Sequence, residues 1–175
     1  MIQQHKTTLG TIWSQWTQHG LYRVQWNHPG DARIDAAATA STALDRQIES
    51  FDRQLAAFCD SGQGTFADVR IDSTLWTDFT ARVYACCRQI PAGQTWTYKQ
   101  LAARAGNDRA SRAVGAAMSR NRILLVIPCH RVIASNGQLR GFSAPGGLET
   151  KQALLDLERT CNSQQGQREL IFCKS

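Results

Sequence analysis

The segment Pro128-Cys129-His130-Arg131 sets a thiol, an imidazole and a guanidinium in succession. A thiol attacks as its thiolate, so a nucleophilic cysteine needs a base or a positive charge within reach. Neighbours on a strand point to opposite faces, so His130 can serve Cys129 only if the chain turns after Pro128, with contact direct or through a water. Glu158, near the end of a helix expected from about Leu148 through Arg159, could hold one His130 nitrogen, fix its tautomer and raise its basicity. Taken singly, a Cys-His pair is commonly structural and a helical Glu an ordinary solvated residue. Together the three form a set of nucleophile, base and orienting group.

Several elements must position that set. Ile123-Leu124-Leu125-Val126-Ile127 reads as a buried strand that delivers Cys129 at its end. Gly141-Phe142-Ser143-Ala144-Pro145-Gly146-Gly147 reads as a glycine-rich loop, and Leu154, Leu155 and Leu157 give the following helix something to pack. Upstream, Thr97 can cap a short helix through Ala105, Gly106-Asn107 makes a turn, and a second helix is expected from Asp108 to about Ser119. This is the spacing of a helix-turn-helix. On the second helix Ala110, Ala113, Val114, Ala117 and Met118 fall on one stripe, with Arg109, Arg112, Gly115, Ala116 and Ser119 on the other faces. A helix that reads base edges carries several long polar side chains, and most of that equipment is missing. Gly115 and Ala116 instead permit close backbone approach, while Arg109, Arg112, Arg120 and Arg122 can meet phosphates, so binding should be salt-sensitive and weakly sequence-specific.

The first third is expected to hold a hairpin, Thr11–Trp16 and Leu21–Trp26, with His19-Gly20 in the turn. Leu44, Ile48, Phe51, Leu55 and Phe58 predict an amphipathic helix over about 40–59, ended by Ser61-Gly62-Gln63-Gly64, and a short strand is expected around Phe66–Ile71. Phe79, Val83, Tyr84, Cys87 and Ile90 mark a helix from Thr77 to about Gln89, closed by Pro91-Ala92-Gly93. Asn162 through Gln167 reads as a loose polar end.

The chain has 175 residues, 42% of them hydrophobic and 19% charged, which suits one compact domain or two small ones and excludes a large multidomain enzyme. No apolar run approaches the roughly 20 residues of a membrane span, and the start leads into no signal-peptide core, so an intracellular protein, cytoplasmic or nuclear and without membrane contact, is expected. Cys59, Cys86, Cys87, Cys129, Cys161 and Cys173 show no C-x-x-C spacing and should be reduced thiols, with Cys86 and Cys87 as small buried side chains. His5, His19, His28 and Cys59 lack ligand-like spacing, so no metal and no cofactor is expected. Residues 1–81 hold six Lys/Arg against nine Asp/Glu, residues 82–140 ten against Asp108 alone, and residues 141–175 four against four. So basic a middle segment is the electrostatic footprint of a polyanion, with nucleic acid the leading candidate.

Pro128-Cys129-His130-Arg131-Val132, behind Ser111-Arg112-Ala113-Val114-Gly115-Ala116-Ala117-Met118, resembles the O6-alkylguanine-DNA alkyltransferases, the methylated-DNA–protein-cysteine methyltransferases. Ile90-Pro91-x-Gly93-x-x-x-Thr97-Tyr98 and Ala105-Gly106-Asn107 extend the match from about Leu75 to Arg159. The resemblance implies an α+β chain. A ribonuclease-H-like α/β domain would occupy residues 1–74, a mainly helical winged or helix-turn-helix-type alkyltransferase domain 75–160, and a polar tail 161–175. It implies a suicide reaction in which a monomer, with no obligate protein partner, meets double-stranded DNA containing O6-alkylguanine. Cys129 keeps the alkyl group as a thioether, and the nucleotide is flipped out through the minor groove.

Residue by residue, the resemblance makes Arg112 the finger that fills the gap left by the flipped base. Tyr98 crowds the phosphate and helps protonate the leaving guanine, Asn121 braces the Cys129 turn, His130 acts as base through water and Glu158 orients it. The carbonyls of Cys129 and Val132 would recognise the guanine amine and the Ser143 backbone its oxygen. Met118 would line the substrate pocket, and Ala110, Ser111, Gly115, Ala116 and Arg120 would face DNA. Two departures bear on the Ser143 contact and the pocket size. Phe142 stands where many members have Tyr, and the loop from Ser143 to Gly147 is two residues longer than the usual Ser-Gly-Gly. The rival readings are a lesion sensor that binds without accepting the group, a transcription regulator, and a turnover cysteine hydrolase. The sensors carry another residue where Cys129 stands.

Overall fold

The start of the chain folds into a three-stranded antiparallel sheet, two of whose strands alternate apolar and polar side chains. The computed structural model describes residues 1–28, 30 and 41–172, with side chains as far as residue 160. The expected hairpin is formed by β2, Gly10–Thr17, and β3, Gly20–Gln25, in register Trp13↔Gln25 to Thr17↔Gly20 with a bulge at Gln15/Trp16. A further strand, β1, Ile2–Thr7, pairs with β2 at the edge. Its polar run Gln3-Gln4-His5-Lys6-Thr7 hides it from a hydrophobicity pattern. It is held by the Met1 amino group donating to the Trp16 carbonyl at 2.9 Å, and by His5, whose Nε2 lies 2.7 Å from Ser14 Oγ and whose Nδ1 lies 2.8 Å from Asp52.

The first helix, α1, Thr42–Ser61, is capped by Ser41 and buries Leu44, Phe51, Leu55, Phe58 and Cys59. Phe51 meets Trp16 edge-on at 5.7 Å, which seats the helix on the sheet. Gly62 ends α1 with φ 67° and returns its N–H to the Phe58 carbonyl. A methyl group on Gly62 would lie 2.9 Å from the Glu158 Cα and 3.0 Å from the Leu157 carbonyl oxygen, so the end of α1 is pressed against the backbone that carries Glu158.

The remaining elements are α2, Asp78–Cys87; β4, Trp96–Thr97; α3, Tyr98–Arg104; α4, Ser111–Ser119; β5, Val132–Ile133; and α5, Leu148–Phe172. The two-residue strands β4 and β5 pair in parallel. The described residues form a mixed α/β arrangement of two small sheets and five α-helices, sharing a core that runs from Ile12 and Trp16 through Val83 and Leu101 to Leu154.

Five expectations change. No strand forms over 66–71: Phe66 has φ 49° and accepts from the Val69 N–H, and only Ile71 bridges to Leu21. Residues 123–127 are buried but are not a strand. Leu125 has φ 69°, the Ile127 N–H turns back to the Ile123 carbonyl, and only Ile123 bridges β3. An apolar run dictates burial, whereas a strand also needs a partner along its length. The second helix of the expected pair starts at Ser111 and not Asp108, because Asn107 folds 107–110 into a turn, with its side chain accepting from the Arg109 N–H and its carbonyl from the Ala110 N–H. Ala113, placed on the buried stripe, is exposed. Finally, α5 continues to Phe172 through the expected loose end, in a stretch rich in helix-forming Gln, Arg, Glu and Leu. The side chains of the tail, Cys161 among them, and all of Cys173 lie outside the described residues.

Gly62 therefore meets two demands at once, a left-handed backbone and a close approach. Gly62→Ala is expected to cost about 2 kcal/mol, read as a lower urea midpoint at unchanged slope. An unchanged midpoint would show that α1 and α5 are not held together there.

Candidate active site

Cys129 opens a single 3-10 turn, Cys129–Arg131. Pro128 precedes it with φ −78°, and the Arg131 N–H reaches back to the Pro128 carbonyl at 2.9 Å. The preceding apolar segment is held at both ends by one buried side chain: Asn121 donates from Nδ2 to the Ile127 carbonyl at 2.8 Å and accepts at Oδ1 from the Ile123 N–H at 3.0 Å. Cys129 lines a cavity of about 410 Å³ together with Tyr98, Gly115, Met118, Ser119, Arg140, Gly141, Phe142 and Ser143. Burial pushes the Cys129 thiol up, opposed by a hydrogen bond from Asn121 and by the Lys151 charge.

The turn, not a strand, carries His130 inward, where it is fully buried. Its Nε2 lies 2.8 Å from Glu158 Oε1. A carboxylate only accepts, so Nε2 carries the hydrogen and Nδ1 keeps its lone pair. Among the described residues Nδ1 has no hydrogen-bond partner. Burial lowers the His130 pKa and outweighs the opposing pull of Glu158, leaving the ring neutral at pH 7.

Glu158 is the most heavily bonded group of the site. Besides His130 it accepts from Arg131 Nη2 at 2.7 Å, from Arg131 Nε at 3.0 and 3.2 Å, and from the Gly93 N–H at 2.9 Å. Burial alone would raise its pKa, but hydrogen bonds and charge from His130 and Arg131 bring it down to about 2. Arg131 also donates to the Ile90 carbonyl at 2.6 Å. Its guanidinium is thus spent on Glu158 and is not the cation that serves Cys129.

That cation is Lys151, a residue the sequence reading did not single out. It is fully buried, and its Nζ donates to the Val132 carbonyl at 2.7 Å and the Arg140 carbonyl at 3.0 Å. The available signal was spacing: Lys151, Leu154, Leu155 and Glu158 lie at i, i+3, i+4 and i+7, one face of α5, and all four are buried. Arg131 carried no comparable signal beyond adjacency to His130.

The structure places the other expected residues as follows. Tyr98 begins α3 and lines both the Cys129 cavity and an adjoining one of about 410 Å³ that also touches Lys99, Ser111, Arg112, Gly115 and Arg140. Arg112 and Ser119 are exposed on α4 and Arg120 is exposed just after it, Ala116 is half-buried, and Ala110 is a half-buried residue just before the helix. Neither Ala110, Ala116 nor Arg120 lines the cysteine cavity. The carbonyls of Cys129 and Val132 already accept from the Val132 N–H and from Lys151. A larger cavity, about 560 Å³, lies between β1 and α1 beside His5, Asp52 and Cys59, away from this network. Among the described residues, no three His, Cys, Asp or Glu side chains are grouped to hold a metal.

Residues 78–160 match the family model described as 6-O-methylguanine DNA methyltransferase, DNA binding domain. Over 129 residues the chain is 38% identical to the methylated-DNA–protein-cysteine methyltransferase of Mycolicibacterium paratuberculosis, a match spanning 74% of this chain and 76% of that one. The chain belongs to the methylated-DNA–protein-cysteine methyltransferase family. The methyltransferase of that name from Methanosarcina acetivorans is 43% identical over 109 residues, 62% of this chain and 67% of the other. The crystal structure of Mycobacterium tuberculosis OGT in complex with DNA superposes with a TM-score of 0.73 at 30% identity, covering 91% of this chain and 93% of that one. The methyltransferase match begins with α2 and ends two residues after Glu158, so it contains Tyr98, Asn121, Cys129, His130, Lys151 and Glu158 together.

The depressed Glu158 pKa fixes the sign of an acid response. Its ordinary value is 4.5 and its folded value about 2, so its contribution is complete above about pH 4.5 and is lost as pH falls from there through about 2. Glu158→Gln should lower stability at neutral pH and flatten the fall in urea midpoint between pH 4.5 and 2. Equal acid slopes in the two proteins would contradict the buried carboxylate network.

Proposed function

We propose that this chain repairs DNA by direct reversal, moving an alkyl group from O6 of guanine in double-stranded DNA onto Cys129. One observation carries the reading: in a chain of this family, a buried cysteine that lines a cavity is followed by a histidine whose Nε2 is fixed by a buried carboxylate. The Cys129 proton passes to His130 Nδ1, directly or through a water, and the imidazolium that forms is stabilised by Glu158. The thiolate attacks the alkyl carbon, and the electron pair of the breaking carbon–oxygen bond passes to guanine. Guanine takes a proton on a ring nitrogen from the Tyr98 hydroxyl, which recovers one from solvent while the His130 imidazolium gives its own up, so no net proton is consumed. Burial raises the Tyr98 pKa, so the phenol holds its proton until it is needed. The thioether is neutral and stable, so each chain acts once.

The alkylated base is inside the duplex, and flipping it out costs a few kcal/mol of stacking and pairing. In this reading α3 and α4 act as a helix-turn-helix lying in the minor groove, with small Gly115 and Ala116 allowing close approach and Arg112 filling the space the base leaves. Ser111 and Arg120 meet the backbone, Met118 and the Ser143 loop bound the substrate pocket, and Val132 uses its second carbonyl lone pair on the guanine amine. The sheet and α1 take the place of a ribonuclease-H-like domain. The scheme draws only on side chains and backbone of one monomer.

Mixing the chain with excess duplex containing one O6-methylguanine should add one methyl group per chain, mapped to Cys129, with no further turnover. Tight binding at unchanged mass would overturn transfer in favour of lesion sensing. Cys129→Ala should abolish transfer and keep DNA binding. Arg112→Ala should slow transfer from duplex by about tenfold or more while Cys129 still reacts with O6-alkylated free base. Equal loss with both substrates would contradict the finger role.

A further inference from the structure

The wall of the Cys129 cavity contains one formal charge, Arg140, and no carboxylate. Arg140 is fixed at its backbone, where its carbonyl accepts from buried Lys151 at 3.0 Å, while its side chain is exposed. The guanidinium has a single long hydrogen bond, 3.4 Å to the neutral Gln138 side chain, and no ion pair among the described residues. Its charge reaches the Tyr98 hydroxyl, which lines the same cavity, and there opposes the effect of burial.

A methyl or other neutral alkyl group gains nothing from such a cation. An alkyl group ending in a carboxylate is different, because it brings a second negative charge towards the thiolate that must attack beside it. Like charges held a few ångströms apart in a partly dehydrated cavity repel strongly. Lys151 favours the thiolate by its charge and is held by two carbonyls. Among the described residues that line the cavity, Arg140 is the cation without an ion pair.

We propose that Arg140 determines specificity for anionic O6 adducts, pairing with a carboxylate on the transferred group so that a carboxymethyl group is accepted. This rests on the transfer reading. The step is the one already described: Cys129 sulfur bonds to the methylene carbon, the bond to O6 breaks, guanine takes a proton, and the carboxylate stays paired with the guanidinium.

The test compares single-turnover transfer from three duplexes that differ only in the lesion: O6-methylguanine, O6-carboxymethylguanine and its neutral isostere O6-carbamoylmethylguanine. In Arg140→Gln the carboxymethyl-to-carbamoylmethyl rate ratio should fall about tenfold, and Arg140→Lys should restore part of it. In the parent chain, rising salt should lower the same ratio. A ratio unchanged by Arg140→Gln would overturn the proposal, as would equal slowing of all three substrates, which would make Arg140 a DNA-phosphate contact. Failure of the parent chain to take even a methyl group would overturn the transfer reading and this inference with it.

Discussion

The buried carboxylate of Glu158 is the constraint around which the rest of the structure is arranged. A charge with no exposed surface is tolerated only when neighbouring donors replace its water. Here the donors come from separated parts of the chain: His130 and Arg131 from the 3-10 turn, and the Gly93 N–H from the connection after α2. Satisfying one carboxylate thus closes α5, the turn and the α2 connection onto one another, and α1 ends against the same stretch of helix. The histidine whose orientation the chemistry needs is one of the donors that folding needs.

The face of α5 that carries Glu158 also organises the charges around the nucleophile. Two leucines separate a cation at Lys151 from the anion at Glu158 along one buried stripe. The cation favours the thiolate, and the anion holds the imidazole correctly turned while burial keeps it neutral. Since both groups belong to one rigid helix, their separation is set by two turns of backbone and not by loop conformation. Arg131, next to His130 in sequence, is drawn off to neutralise Glu158, so the pair of charges does not compete for the sulfur.

Much of this was legible in the sequence because it rests on local rules. Apolar spacing located α1 and α2, and Thr97 with Gln100 forms a capping box at α3. The Cys129-His130 motif and the position of Glu158 were enough to expect the orienting contact. What was not legible depends on partners distant in sequence. The edge strand β1 exists because β2 offers it a ladder, and the apolar run 123–127 is denied strand geometry because β3 meets it only at Ile123. Lys151 looks like any helical lysine until the carbonyls of Val132 and Arg140 are brought to it. The turn that replaces the expected strand end also resolves the difficulty of adjacent side chains pointing apart, since it lets Cys129 face the cavity while His130 faces the core.

Gly115 has a different kind of consequence. It sits in the middle of α4, and a methyl group placed on it would meet nothing within 4 Å. Folding makes no demand for glycine there, and alanine would favour the helix by roughly 1 kcal/mol. Yet the residue stands in the walls of both the cysteine cavity and the groove beside it. The thermodynamic optimum of the helix and the shape of its outer surface therefore diverge at a single position. An alanine at this site would narrow the approach to Cys129 and leave the packing of the fold untouched, so a variant could gain stability while its cavity changes shape.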